Sequence, residues 1–283
     1  MLWGKMIDII VPTLNRPTIS NTILSLNKQK YISKIIFVTR SGLKSSLDNL
    51  VHNLIEPNLK YEILVCDEGE LYHALNLGLR NCTSRYVGFL NDDDWYDDLF
   101  VKNGVDYLEK NSNLEWVTGD VVFHSKNGEM NYVRATPSDL YQLKIRPPRI
   151  WHPASIYKRD LFEKVGDYPT ILGKKLIRVA SDFGWMLKAF DLGVKVERVN
   201  GMQYNFRDGG LSQVEHGLSI YECAHLVSGT FHEERGLLKY WYLNHSPLNS
   251  SKIGRLYRIS NSFNFSKFIP HFILKAIKKL LLR

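Results

Sequence analysis

The chain has 283 residues, 44% of them hydrophobic and 23% charged, which excludes a disordered or fibrous protein and allows one large domain, or one domain with an appendage. The formal charge of +8 is unevenly spread: from Arg235 to Arg283 there are ten basic residues and no acidic one, leaving 27 basic groups against all 29 acidic ones in the first 234 residues. A slightly acidic body excludes a protein coated for nucleic acid, and the basic end points to a local acidic partner.

In chain order, Ile7 to Val11 reads as a strand stopped by Pro12, with Thr13 and Asn15 offering polar side chains beyond its tip. Thr18 or Ser20 is placed to cap a helix whose apolar face is Ile19, Ile23, Leu24 and Leu26. A second strand over Ile35–Val38 leads through Thr39-Arg40-Ser41-Gly42 to a helix over Leu43–Leu54. A third strand, Tyr61–Val65, precedes Cys66-Asp67-Glu68-Gly69-Glu70. Leu71, Ala74, Leu75, Gly78 and Leu79 then recur at helical spacing. Tyr86 to Leu90 is a fourth strand. Strand and helix in alternation predict an α/β fold with a mostly parallel sheet flanked by helices. Neither a glycine-rich dinucleotide fingerprint nor a phosphate-binding loop follows the first strand.

The fourth strand ends in Asn91-Asp92-Asp93-Asp94-Trp95-Tyr96. Adjacent carboxylates repel one another unless a cation joins them, and open α/β sheets bind ligands beyond the carboxyl ends of their strands. The pattern therefore predicts a divalent ion, Mg²⁺ or Mn²⁺, on Asp93 with Asp92 or Asn91 assisting. The competing reading is a solvated turn capping a helix that starts near Tyr96.

Beyond it, Leu99–Leu108 reads as a helix and Trp116–His124 as a strand, with Asn127-Gly128 a hairpin turn and Tyr132-Val133-Arg134 returning. Ile150–Tyr157 is strand-like around a His-Pro pair, Arg159–Val165 is a short helix closed by Gly166, and Ser181 or Asp182 precedes a buried helix over Phe183–Phe190. Val194–Val199 is a further strand, and Tyr204 to Ser212 runs from strand into a glycine loop. Residues 218–243 read as helical. Pro270 to Arg283 is a basic amphipathic helix suited either to anionic headgroups or to docking on the protein's own core. The three cysteines lack metal spacing and are expected as reduced thiols in a cytosolic setting. The opening residues are too short an apolar run for a signal peptide, and no run is long enough to span a membrane.

Four stretches together, IIVPTLNR at 9–16, ELYHALNLGL at 70–79, YVGFLNDDDWY at 86–96, and ASDFGWMLKAFDLG at 180–193 with FRDGGLS at 206–212, resemble a family-2 glycosyltransferase with a GT-A (Rossmann-like) nucleotide-sugar fold. The resemblance spans about residues 6–212. It implies inverting transfer from a nucleoside-diphosphate sugar, UDP favoured, to a glycan or polyprenyl-diphosphate-linked acceptor, with Mn²⁺ or Mg²⁺ as cofactor. It implies a glycosyltransferase domain over 1–217, its nucleotide-sugar half about 1–98 and its acceptor half about 99–217. A basic, helical extension over 218–283 would associate with the inner face of the cell membrane, as in members that build surface polysaccharide. Carried over by position, Pro12, Thr13, Asn15 and Arg16 fall where the family binds nucleotide, Asn91, Asp92 and Asp93 at its metal motif, and Asp182 where it keeps a catalytic base. Asp67, Tyr72 and Asn76 match a subgroup pattern near the donor, with His73 in place of an Asp. The second strand departs from the family: acidic residues commonly end it and read the base, and here it ends Thr39-Arg40-Ser41.

Each site residue also has a plainer reading. Asp182 fits a helix N-cap. His152 either lines the acceptor pocket or helps a metal, or is a packed histidine. Trp95 and Trp151 suit stacking on sugar faces, and Trp185 core packing. Arg207 before Gly209-Gly210 suits a diphosphate or a structural ion pair, and His216 is a weaker candidate of the same kind. Two other classes share parts of the pattern: a catalytically inactive, membrane-bound sugar-binding module, and a sugar-nucleotide nucleotidyltransferase, which needs a glycine-rich basic loop where this chain has PTLNRP.

Overall fold

The computed structural model describes residues 6–137, 149–172 and 175–210, and positions 215, 218, 219, 222, 223 and 226. The predicted amphipathic helix over 270–283, the whole basic end from Arg235 and His216 lie outside the described residues. Among the described residues, no helix is long and apolar enough to cross a membrane.

Strand β1 (Ile7–Pro12) is wholly buried and sorts its side chains by the two-residue period of a strand. Ile7, Ile9 and Val11 enter one apolar cluster and Ile10 the other, on the opposite face. Asp8, also buried, accepts hydrogen bonds from Thr83 N, Ser84 N and Ser84 Oγ at 2.7–2.9 Å. That set of donors satisfies a carboxylate at the foot of the sheet, where an unpaired one would be costly.

Helix α1 (Ile19–Asn27) follows, then β2 (Ile32–Thr39), α2 (Lys44–Leu54), β3 (Lys60–Val65), α3 (Leu71–Arg80) and β4 (Tyr86–Phe89). The ladders β3–β2, β2–β1 and β1–β4 are all parallel, as the alternation of apolar periods predicts. Thr18 does sit at the N-cap of α1, but no side-chain capping bond forms there. Helix α3 lies close on β1: a Cβ added at Gly78 would stand 2.6 Å from Ile10 Cγ2. Only a residue without a side chain permits that approach.

After β4 the chain makes a two-residue strand β5 (Trp95–Tyr96), then α4 (Phe100–Lys110) and β6 (Trp116–His124). The helix expected to start near Tyr96 begins only at Phe100, with Leu99 at its N-cap. Tyr96 and Trp95 pair antiparallel with Tyr204 and Asn205, so the acidic triplet caps no helix. Then come β7 (Met130–Val133), β8 (Ser155–Lys158), α5 (Asp160–Val165), β9 (Ile171–Leu172), β10 (Lys175–Leu176), α6 (Ser181–Asp191) and β11 (Val196–Arg207). The His-Pro pair forms a 3-10 turn over His152–Ala154 before β8. The strands expected at 194–199 and from Tyr204 are one strand, β11, interrupted by a register shift between Arg198 and Gln203. Gly201 in that shift has φ 76°, the left-handed conformation open to glycine, and it bends the strand without ending it.

Nine strands form one sheet in the order β3-β2-β1-β4-β8-β6-β11-β5, with β7 on β6. The long ladders are parallel; β8 enters antiparallel between β4 and β6. The sheet thus runs unbroken across residue 98. Helices α1, α2 and α4 cover one face and α3, α5 and α6 the other, each with its own apolar cluster. Glu222 and Leu226, beyond residue 217, are buried, and Leu226 belongs to the α3/α6 cluster.

Candidate active site

Strand order reverses at β1: β2 lies on one side and β4 on the other, and a crevice opens beyond the carboxyl ends at such a switch point. There the tips of β1 and β4 are tied together. Thr13 Oγ1 donates to Asp92 Oδ2 at 2.9 Å, and Leu14 N donates to the same oxygen at 3.2 Å. Asn15 N donates to Thr13 Oγ1 at 2.8 Å, which folds the 13–15 turn back on itself and holds Asn15 at φ 56°. Arg16 Nη1 lies 3.3 Å from Asp93 Oδ2 and 3.8 Å from Asp92 Oδ1. Two buried oxygens, Asn15 Oδ1 beyond the β1 tip and Thr39 Oγ1 at the β2 tip, have no hydrogen-bond partner among the described residues.

The three aspartates differ in work. Asp92 faces the β1 tip. Asp93 sits in a partly buried position, and burial, then the neighbouring Asp92 charge, push its carboxyl above the usual range. Asp94 is 1% exposed and points inward. Its Oδ1 accepts Arg207 N at 2.7 Å, and its Oδ2 accepts Asn91 Nδ2 at 2.9 Å and the Tyr204 hydroxyl. Burial and the Asp93 charge raise it to about 7 against those bonds. Asp94 thereby locks the acidic tip to the end of β11. Its buried role was not assigned from sequence, although the residue itself stands in the triplet.

Around that end, Arg207 lies over the Trp95 ring at 5.5 Å, Trp95 packs on His124 at 4.6 Å, and His124 Nε2 meets Asn205 Oδ1 at 2.9 Å. Trp151 stands edge-on to Phe123 at 5.9 Å. Among the described residues Arg207 makes no ion pair within 4 Å, although its charge favours the ionised form of Asp93.

Asp182 lies on the other side of an aromatic layer. It is the second residue of α6, whose N-cap is Ala180, so it is not the cap. Its Oδ1 accepts Phe183 N at 2.8 Å and stands 2.9 Å from the Tyr72 hydroxyl. That hydroxyl is also 2.7 Å from the Val179 carbonyl and has one proton for the two acceptors. Burial raises the Asp182 carboxyl, against the bonds from Tyr72 and Phe183 N. No cation pairs with it among the described residues. The Tyr72 ring packs on Tyr168 at 5.9 Å, and Tyr168 packs on Phe89, at the end of β4, at 5.8 Å. One aromatic layer therefore connects the acidic tip to Asp182. His152 belongs to that layer: its ring lies tilted 4.3 Å from Phe89 and bonds the Tyr168 hydroxyl, and burial lowers it to about 3, so it is a neutral packed ring. Trp185 is a core residue.

Asp67 and Asn76 stand apart from the tips. Asp67 Oδ1 accepts Ser41 N at 2.8 Å. The Asn76 amide exchanges two hydrogen bonds of 2.9 Å with the backbone of Tyr168. Both residues line a cleft of about 680 Å³ on the flank of α3, bounded by Val65–Glu68 and Asp167–Ile171, which no residue of the β1 tip or the acidic tip enters.

Comparison with known proteins accords with this architecture. Residues 8–166 match the sequence model of Glycosyl transferase family 2. An uncharacterized glycosyltransferase of Bacillus subtilis (strain 168), EpsJ, is 25% identical over 222 residues, which cover 74% of this chain and 63% of EpsJ. The match thus spans less than two thirds of that relative's length. Among solved structures, S. aureus TarS 1-349 superposes with a TM-score of 0.57 at 17% identity, covering 87% of this chain and 72% of that one. The same protein in complex with UDP-GlcNAc superposes at 0.59 and 16% identity, covering 88% and 76%. At those identities the structural likeness concerns the fold, a GT-A-like sheet with its flanking helices. The family match, covering more than half of the chain and both strand tips of the crevice, shows that the chain belongs to glycosyl transferase family 2.

Proposed function

We propose that the chain is an inverting glycosyltransferase that moves a sugar from a nucleoside-diphosphate sugar, UDP favoured, to a hydroxyl of a glycan or polyprenyl-diphosphate-linked acceptor. The observation that carries this reading is the pairing of two carboxylate environments across one aromatic layer. On one side stand Asp92 and Asp93 beside Arg16, and on the other stands Asp182, unpaired with any described cation and raised by burial. Burial raises both Asp93 and Asp182, but Asp93 stands beside a second carboxylate and an arginine while no described cation pairs with Asp182, which suits charge binding at the first and proton acceptance at the second.

The orphaned Asn15 Oδ1 and Thr39 Oγ1 at the tips of β1 and β2 suit a nucleotide laid across them, with Pro12, Thr13 and Arg16 alongside. The UDP-GlcNAc bound by the TarS neighbour supports a donor of this class. The donor set also fits a hard cation. Asp93 is desolvated beside a second carboxylate, Asp92 commits one oxygen to the β1 tip, and Mg²⁺ or Mn²⁺ needs only one or two protein carboxylates when phosphates supply the rest. Bound there, such an ion would stabilise negative charge on the departing diphosphate as a Lewis acid. Arg16 and Arg207 flank the same place and would attract that charge.

Asp182 would take the proton of the acceptor hydroxyl as its oxygen bonds the anomeric carbon from the face opposite the diphosphate. The bond to the leaving oxygen breaks with its electron pair, and the configuration inverts. Tyr72 keeps the carboxylate aimed. Trp95, under Arg207, and Trp151, against Phe123, are aromatic faces near the β11 end for a sugar to stack on. The basic end, from Arg235 onward, would hold the protein at an anionic inner membrane face where lipid-linked acceptors reside.

The test is a thermal-shift screen of nucleoside diphosphates and nucleotide sugars with Mn²⁺ or Mg²⁺, followed by transfer or donor hydrolysis with Asp93→Asn and Asp182→Asn. A cognate donor at a hundred times its Kd adds about 2.7 kcal/mol to native stability. If no nucleotide raises the melting point in either metal, the reading fails. If donors bind and the wild type neither transfers nor hydrolyses them, the sugar-binding reading takes its place; if Asp182→Asn turns over like an active wild type, Asp182 is not the base.

A further inference from the structure

Glu222 is 4% exposed and belongs to no strand, salt bridge or crevice described above. Its carboxylate accepts three consecutive backbone N–H groups: Arg178 N on Oε1 at 2.8 Å, then Val179 N and Ala180 N on Oε2 at 2.8 and 2.9 Å. Those three residues lead directly into α6, whose first turn carries Asp182. The fixed turn has a second end. The Val179 carbonyl stands 2.7 Å from the Tyr72 hydroxyl, which stands 2.9 Å from Asp182 Oδ1. Leu226 packs on the same helix: a Cβ added at Gly184 would stand 2.9 Å from Leu226 Cδ2. Asp182 is thus held from below by Tyr72 and from behind by a turn whose donors all end on one side chain some forty residues downstream.

We infer that Glu222 is a positioning residue for the Asp182 base, so that Glu222, and Leu226 with it, belong to the catalytic unit and not to a detachable extension. This rests on the reading of Asp182 as base. The physical reason is that the 178–180 turn has no regular secondary structure to hold its N–H groups, and an unpaired buried donor costs about 1–3 kcal/mol. With Glu222 in place the turn has one conformation. With the carboxylate gone the turn is free to shift, and a displacement of about 1 Å in a reacting group can cost about a hundredfold in rate.

The experiment compares the full chain with Glu222→Gln, Tyr72→Phe, the double variant and Asp182→Asn. Each is read for kcat, donor KM and donor binding by calorimetry, after its melting point shows a folded protein. The expected result for Glu222→Gln is a fall in kcat of ten- to a hundredfold, with donor KM and affinity within about twofold of wild type. Because Glu222 and Tyr72 act on one turn, the double variant should be no slower than the worse single one by more than about twofold. Should Glu222→Gln not fold, Leu226→Val loosens the packing on α6 beside Gly184, two residues from Asp182, and takes its place, with the same split expected. A kcat within threefold of wild type, a loss of donor affinity matching the loss of rate, or fully multiplicative effects in the double variant would overturn the inference. Asp182→Asn keeps the two failures apart: if it retains wild-type kcat, the base assignment itself is wrong, whereas an inactive Asp182→Asn beside an unaffected Glu222→Gln removes Glu222 alone.

Discussion

Replacing Asp182 by Asn is the sharpest perturbation, because activity and stability should move in different directions. The amide keeps an oxygen for the Phe183 N–H at 2.8 Å and the Tyr72 hydroxyl at 2.9 Å, so neither bond need be lost. What disappears is a desolvated negative charge and its ability to take a proton. General-base catalysis contributes about 10²–10⁴-fold, so kcat should fall by that factor, or about 2.7–5.5 kcal/mol of barrier. The stability effect has the opposite sign. Burial raises the folded Asp182 carboxyl above its unfolded value of about 3.9. Its proton-linked stability is therefore complete below about pH 4 and is lost as pH rises through the folded value. Asn has no such loss. Melting curves of the two proteins should coincide near pH 4, and the variant should melt no lower, and by pH 8 higher. Each 1 kcal/mol corresponds to about 2–4 °C for a protein of this size. The acid limb of the wild-type kcat profile should lie above the ordinary carboxylate range. An Asp182→Asn protein that melts several degrees below wild type at pH 8, or that keeps a third of its kcat, would refute the reasoning.

Asp93→Asn should raise donor KM at least tenfold and remove its dependence on Mn²⁺, while the melting point of the unliganded protein changes by less than about 2 °C, since Asp93 contributes one half-exposed ion pair; donor titration with and without metal checks this. Gly78→Ala places a Cβ 2.6 Å from Ile10 Cγ2 and should cost about 1–3 kcal/mol, read by urea unfolding. Arg198→Ala strands the buried Asp120, whose carboxyl burial would raise but which the bonds from Arg198, Tyr132 and Ala135 N hold below the usual range. The loss should be about 3–5 kcal/mol near neutral pH and should shrink as acid protonates Asp120.

Much of the site's outline was legible because its parts are local. The strand Tyr86–Phe89 ending in acids is readable from apolar residues running straight into charge, and Thr13 and Asn15 from a proline that stops β1. The placement of Asp182 at the head of a buried helix follows from apolar spacing over Phe183–Phe190. Other features had no local signal. A helix near Tyr96 is a fair reading of an acidic turn, yet Tyr96 pairs with Tyr204 across more than a hundred residues. Val194–Val199 looked like a separate strand because Asn200-Gly201 interrupts the apolar pattern, and only the neighbouring β6 carries the strand through that interruption. Glu222 is one acid among many in a polar stretch until the turn at 178–180 is folded against it.

Periodicity and side-chain chemistry alone determined which segments are strands and helices, that the sheet is largely parallel, and which tips carry polar groups. They do so because each depends on residues a few positions apart. Only the tertiary structure decided what the three aspartates do, by turning Asp92 to Thr13 and Asp94 inward to Arg207 and Tyr204. It alone decided that a carboxylate beyond residue 217 holds the turn before Asp182. Hydrogen bonds between residues forty to a hundred positions apart depend on how the elements pack, and that packing is a property of the whole chain.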